Sequence, residues 1–99
     1  MLNITKNTTN NELTIALEGR LDTITSPQLE SEIKSSIAGV EKMTLDLQNL
    51  EYISSAGLRV LLSAQKRMND QGDMELINVG ETVKEILDVT GFSDILTVK

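Results

Sequence analysis

Leu2 and Ile4 alternate with polar neighbours, and Leu13, Ile15 and Leu17 alternate strictly with Thr14, Ala16 and Glu18. A two-residue period puts successive side chains on opposite faces of a strand, so both stretches predict half-buried β-strands. The Asn- and Thr-rich residues 7–11 between them predict a turn, and the three pieces together a hairpin. Gly19-Arg20-Leu21-Asp22 then leaves the sheet, and Thr25-Ser26-Pro27 opens a helix, with a hydroxyl at the N-cap and proline in the first turn. Leu29, Ile33 and Ile37 recur every four residues as one apolar stripe, and Gly39 is the expected helix end.

Met43, Leu45 and Leu47 return to the period of two and predict a third strand, followed by a loop over residues 48–54. A second helix is expected from about Ala56 to Asp70, with Leu58, Leu61, Leu62, Gln65 and Met68 as its inward stripe and Gln71-Gly72 as its close. Met74, Leu76 and Val79 suggest a fourth strand. Val83, Ile86, Leu87 and Val89 suggest a third helix that stops near Thr90-Gly91, and Ile95, Leu96 and Val98 a last extended segment. Strands alternating with helices predict an α/β fold with a mixed, largely parallel sheet and about three packing helices, formed by residues 1–99 as a single domain.

Charge narrows the function. Fifteen Asp and Glu against nine Lys and Arg leave a net charge of −6, and no basic cluster exceeds the Lys66-Arg67 pair. Nucleic-acid binding needs clustered cations that displace counterions, so it is not expected. The same charge opposes docking on anionic lipid. The longest apolar runs, such as Val60-Leu61-Leu62, fall far short of the roughly 20 residues that span a bilayer. No basic segment followed by an apolar stretch opens the chain, so the expected location is cytoplasmic.

Catalytic chemistry is hard to find. The chain has no histidine and no cysteine, which removes the commonest general base, the commonest transition-metal ligand and all thiol chemistry. No serine has a recognisable base spacing, no Gly-rich phosphate loop is present, and no acidic run has calcium-loop spacing. The expectation is a protein that is not an enzyme and carries no metal or cofactor.

Information concentrates where the third strand hands over to the second helix, in Tyr52-Ile53-Ser54-Ser55-Ala56-Gly57-Leu58-Arg59. Ser55 stands just before the apolar-periodic residues and is the expected N-cap, with Ser54 taking that part if the boundary shifts. A serine here serves either as a plain cap or as a phosphorylation site. Free N–H groups and the helix dipole tolerate phosphate, and the modification adds about −1.5 to −2 charges. Asp22 is either an Asx-turn residue or a partner contact. Gly57 allows close approach either of a partner or of the sheet, and Arg59 is either a solvated position or a phosphate or partner contact. Tyr52 and Phe92, the only aromatics, are expected in packing.

At these residues the chain resembles the STAS family, named for sulfate transporters and anti-sigma factor antagonists. Gly19-Arg20-Leu21-Asp22 is similar to the family's G-x-L-D. Asp46-Leu47 through Leu50, Tyr52, Ile53 and Ser54-Ser55-Ala56-Gly57-Leu58 is similar to its strand and D-S-[ST]-G-L corner. Gly72 with Leu87, Thr90-Gly91-Phe92 and Ile95 is similar to its closing helix and strand.

The resemblance implies an anti-sigma factor antagonist. Such a protein, dephosphorylated, binds an anti-sigma factor, usually a GHKL-type serine kinase. Phosphorylation by that kinase dissolves the complex, and a PP2C-type phosphatase restores it. By position Ser55 matches the phosphoacceptor, with Ser54 as the alternative. Asp22, Ser54, Ser55, Ala56, Gly57, Leu58 and Arg59 match the partner-binding corner. Two positions depart from the family pattern: Ser54 stands where many members have aspartate, and Ala56 where many have a second hydroxyl. The resemblance also allows a different role, as a stand-alone accessory subunit of an ABC-type lipid transport complex.

Overall fold

The hairpin forms because Asn10 turns the chain in the left-handed region (φ 56), where asparagine is tolerated. A computed structural model describes residues 1–99, and in it β1 (Leu2–Thr9) pairs antiparallel with β2 (Glu12–Leu21) in unbroken register from Leu2↔Gly19 to Thr9↔Glu12. Helix α1 (Ser26–Ser36) leads to β3 (Lys42–Ile53), α2 (Ser55–Gln71) to β4 (Asp73–Ile77), and α3 (Glu81–Thr90) to a short 3-10 turn at Phe92–Asp94. The sheet order is β1-β2-β3-β4, with β2–β3 and β3–β4 parallel. This is the mixed, mostly parallel α/β architecture expected from the alternation of elements.

One side of the sheet carries the core. Leu13, Ile15 and Leu17 of β2, Met43, Leu45 and Leu47 of β3, and Met74 and Leu76 of β4 are buried in one cluster with Leu29, Ile33, Leu58, Leu61, Met68, Val83 and Leu87 of the helices. Thr14, Glu18 and Gln48 on the opposite side stay exposed, so the helices cover a single face.

Several elements differ from their sequence expectation. The loop foreseen over residues 48–54 is strand: β3 runs on to Ile53, paired with β2 alone, because its last pair with β4 is Asp46↔Ile77. Between Ala16↔Asp46 and Leu21↔Ile53, β3 advances seven residues while β2 advances five, through two bulges. Each bulge adds a residue, so the inward spacing lengthens from two at Leu45 and Leu47 to three at Leu50 and Ile53, and the alternation that marks a strand is lost. Helix α1 ends at Ser36, before Gly39, with Ile37 at the C-cap. Val79 lies beyond β4, and Val89 is 81% exposed, on the outer side of α3. The closing segment makes one parallel bridge, Leu76↔Val98, since residues 92–94 coil first and leave Ile95 outside the core. Two backbone bonds, Leu76 N–H to Thr97 O and Lys99 N–H to Leu76 O, hold it on the β4 edge.

In α2 the inward stripe holds Val60 and Ala64 besides the expected residues, while Leu62 is only half-buried. Gln65 is polar within that stripe. Its Nε2 donates to Asn69 Oδ1 at 2.9 Å, but its Oε1 is buried without a partner. An unpaired buried acceptor costs about 1–3 kcal/mol. Gln65→Leu is therefore expected to raise stability by about 1–2 kcal/mol in urea unfolding, with an unchanged m-value.

Candidate functional site at the start of helix α2

The two strands that carry the site end side by side. Leu21 and Ile53 are the last register pair of β2 and β3, and Ser54 N–H donates to Leu21 O at 2.9 Å. Asp22 and Ser54 are thus the first residues past the carboxyl ends of adjacent parallel strands, where open α/β sheets place their binding loops. Because β3 projects past β4, this corner stands out from the sheet.

Helix α2 and its cap each lie one residue earlier than expected from sequence. Ser54 is the N-cap: its backbone is extended (φ −94, ψ 175), and its Oγ accepts from Gly57 N–H at 3.3 Å. The last rung to Leu21 holds Ser54 in strand geometry, so the helix starts at the following residue. Ser55, the expected cap, is instead the first helical residue and is exposed, with its hydroxyl in no side-chain hydrogen bond. Cap and exposed hydroxyl are two neighbouring serines. Ser54→Ala is expected to cost about 1 kcal/mol by thermal unfolding, the usual price of a lost cap.

Gly57 and Leu58 face inward, Leu58 at 3% exposure, and shape the corner from beneath. A Cβ on Gly57 would lie 2.7 Å from Leu21 Cγ and 2.9 Å from Ile53 Cγ1, so glycine is what lets the helix start sit on the ends of β2 and β3. Close approach to the sheet is enough to account for glycine here.

Asp22 organises the neighbouring loop. Its Oδ1 accepts from Ile24 N–H and Thr25 N–H, each at 3.0 Å, and from the Thr25 hydroxyl at 3.2 Å. Thr25, which the sequence places as the α1 cap, makes no capping bond to its helix. Its Oγ1 turns back, accepting from Asp22 N–H and sharing its one proton between Arg20 O at 2.9 Å and Asp22 Oδ1 at 3.2 Å. The Thr25 N–H holds the Asp22 carboxyl below the usual 3.8, reinforced by the Ile24 N–H and the Thr25 hydroxyl against partial burial, with a small contribution from the chain's amino terminus. A depressed carboxylate stabilises the fold above its unfolded value, and that contribution disappears as pH falls through the folded value. The Ile24 and Thr25 amide resonances are expected to titrate with a midpoint below 3.8, and Asp22→Asn to abolish the titration.

The same loop presents Ile24 at 87% exposure, a residue that sequence reasoning passed over. Its only signal was an isoleucine flanked by threonines between two periodic segments. Ala56 and Arg59 line an open groove with Thr23, Ser26, Pro27, Glu30 and Val60, so the β2–α1 loop and the start of α2 share one surface. Arg20 lies apart, its guanidinium 4.5 Å over the Tyr52 ring beside it in register. No group of three or more acidic side chains is placed to hold a metal ion, and no helix is long and apolar enough to cross a membrane.

A family model, the STAS domain, matches residues 3–99. The chain belongs to the STAS domain family. BtrV of Bordetella bronchiseptica, named as a candidate anti-sigma factor antagonist, is 36% identical over 88 residues, covering 87% of this chain and 76% of BtrV. An anti-sigma F factor antagonist of Paenibacillus polymyxa is 32% identical over 89 residues, covering 87% and 76%. Among solved structures, an anti-sigma factor antagonist from Mycobacterium paratuberculosis superposes with a TM-score of 0.89 at 18% identity over 99% of this STAS domain and 85% of that chain. The Bacillus cell-fate determinant SpoIIAA in its phosphorylated form gives 0.76 at 19% identity over 98% and 91%. At such identities the superpositions establish the STAS fold alone.

Proposed function

We propose that this STAS domain is an anti-sigma factor antagonist, switched by phosphorylation of Ser55. Unmodified, it binds an anti-sigma factor that is also a serine kinase; phosphorylated, it lets go; a phosphatase resets it. Its work is recognition in the cytoplasm, with no reaction of its own. The observation that carries this is the division of labour at the corner, where Ser54 caps α2 and leaves the Ser55 hydroxyl exposed at the first helical position. The relatives named as anti-sigma factor antagonists support it, as does the existence of a phosphorylated form of a protein sharing the fold.

The chemistry of the corner suits a switch. A phosphate at the first helical position meets the free N–H groups and positive dipole end of α2, a favourable placement of about 0.3–1 kcal/mol, so the fold tolerates it. Arg59 sits one turn further along the same helix, the spacing at which side chains pair. The surface offered to a partner, by contrast, loses a donor and gains almost two negative charges.

The test is incubation with the organism's anti-sigma kinase and ATP, followed by peptide mass spectrometry. One phosphate on Ser55 is expected, absent from Ser55→Ala and retained in Ser54→Ala. Modification at Ser54 alone, or co-purification with a transporter ATPase in place of a kinase, overturns the proposal.

A further inference from the structure

We propose that the groove between α1 and α2 receives an acidic segment of the anti-sigma factor, anchored by one aliphatic side chain; this rests on the function proposed above. The groove starts beside the switch, at Ala56 and Arg59. Ser55, Arg59, Ser63 and Arg67 follow one another every four residues along α2 and so form a single stripe on its surface, about 18 Å long at 1.5 Å per residue. Beside Arg59 the groove is bounded by the β2–α1 loop and Glu30. It continues past Val60 into a notch of about 100 Å³ walled by Ile33, Ile37, Val60 and Ala64 and rimmed by Lys34, Ser63 and Arg67.

Charge names the occupant. The chain carries −6 overall, yet the groove is lined by three cations, Lys34, Arg59 and Arg67, and one anion, Glu30. Glu30 already faces Lys34 at 3.9 Å, and neither arginine has a carboxylate within ion-pair distance. An acidic protein that keeps two arginines without carboxylate partners on one helix stripe, over an apolar notch, is complementary to a segment bearing Asp or Glu around a Val, Leu or Ile. The notch holds about the volume of three liquid waters, enough for one such side chain. The arrangement also explains release. A phosphate on Ser55 puts negative charge at the head of the stripe, where the acidic segment must enter, and offers Arg59 a competing partner one turn away.

The experiment titrates the chain with the purified anti-sigma kinase that phosphorylates Ser55 in the assay above, at low and high salt. Arg67→Glu is expected to weaken the complex about tenfold or more and to flatten its salt dependence. Lys66→Glu, the adjacent cation outside the groove, serves as control and is expected to bind within about threefold of wild type. Ser63→Leu, which fills the notch from the chain's own side, is expected to weaken binding at both salts without charge change. Melting curves near wild type certify the folds. If Arg67→Glu and Ser63→Leu bind like wild type while Ser55→Asp releases the kinase, the groove is overturned and the switch stands. If the wild-type chain forms no complex with the kinase, both fall.

Discussion

Ser55→Asp is expected to weaken the complex with the anti-sigma factor about a hundredfold while moving the melting temperature by only a few degrees. The two halves of this outcome have separate causes. Like charges brought together across an interface cost several kcal/mol, and about 2.7 kcal/mol is a hundredfold in affinity. Within the fold, the same carboxylate lies at the positive end of α2, where it is neutral or favourable by a few tenths of a kcal/mol. Nothing in the core is disturbed, because Ser55 is exposed and Ser54 keeps the cap bond to Gly57. Isothermal titration of the kinase, with the unphosphorylated wild-type chain as reference, alongside thermal melting, checks both. Equal affinity for Ser55→Asp and wild type rules out the switch; a collapse in melting temperature means the hydroxyl has a structural part that the geometry does not show. Ser55→Ala separates charge from hydroxyl, and is expected to bind within about tenfold of wild type, since one interfacial hydrogen bond is worth about 0.5–1.5 kcal/mol.

Gly72→Ala is expected to cost about 3 kcal/mol, a large effect for a single added methyl. The backbone of Gly72 is extended (φ 169), a conformation open to any residue, so the cost does not come from strain in the chain. It comes from contact. A Cβ there would lie 1.8 Å from the carbonyl oxygen of Glu41 and 2.6 Å from its carbon. Those atoms are backbone and cannot swing aside. The same carbonyl accepts the Asp73 N–H at 2.9 Å, the bond that starts the β3–β4 ladder at Lys42↔Asp73. The neighbouring Gln71 side chain holds the junction as well, donating to Ile37 O and Val40 O. Overpacking of a close-packed site usually costs about 1–3 kcal/mol, and a backbone clash belongs at the upper end. At roughly 4–8 °C per kcal/mol for a domain of this size, the melting temperature is expected to fall by more than about 10 °C. Gly80→Ala is the comparison: its added methyl meets nothing within 4 Å, so only the poorer N-cap of α3, about 1 kcal/mol, is expected to show. A melting temperature for Gly72→Ala within about 3 °C of wild type would contradict the close approach of α2's end to the start of β3.

The candidate site is partly legible in the sequence. Polar residues that break periodicity at a strand–helix junction mark a cap, and two adjacent serines there narrowed the exposed hydroxyl to Ser54 or Ser55. Which serine caps depends on a non-local bond, Ser54 N–H to Leu21 O, that no local pattern reveals. Asp22 lay in a turn-forming context, and its Asx geometry with Ile24 and Thr25 agrees with that. The groove was not foreseen. It joins residues far apart in sequence, such as Glu30 and Arg67, and only packing of α1 against α2 brings them together.

Local order along the chain was enough to set the layered α/β plan, the inward faces of its strands and helices, and the absence of histidine and thiol chemistry, because side-chain period and composition are properties of the chain itself. Tertiary structure alone decided that β3 continues through two bulges to Ile53, that Gly57 seats the helix on Leu21, and that Ser55 is left in solvent. The physical reason is common to all three: each depends on which distant backbone or side chain arrives as a neighbour, and a hydrogen-bond or packing partner brought in by folding leaves no periodic mark on the residues it meets.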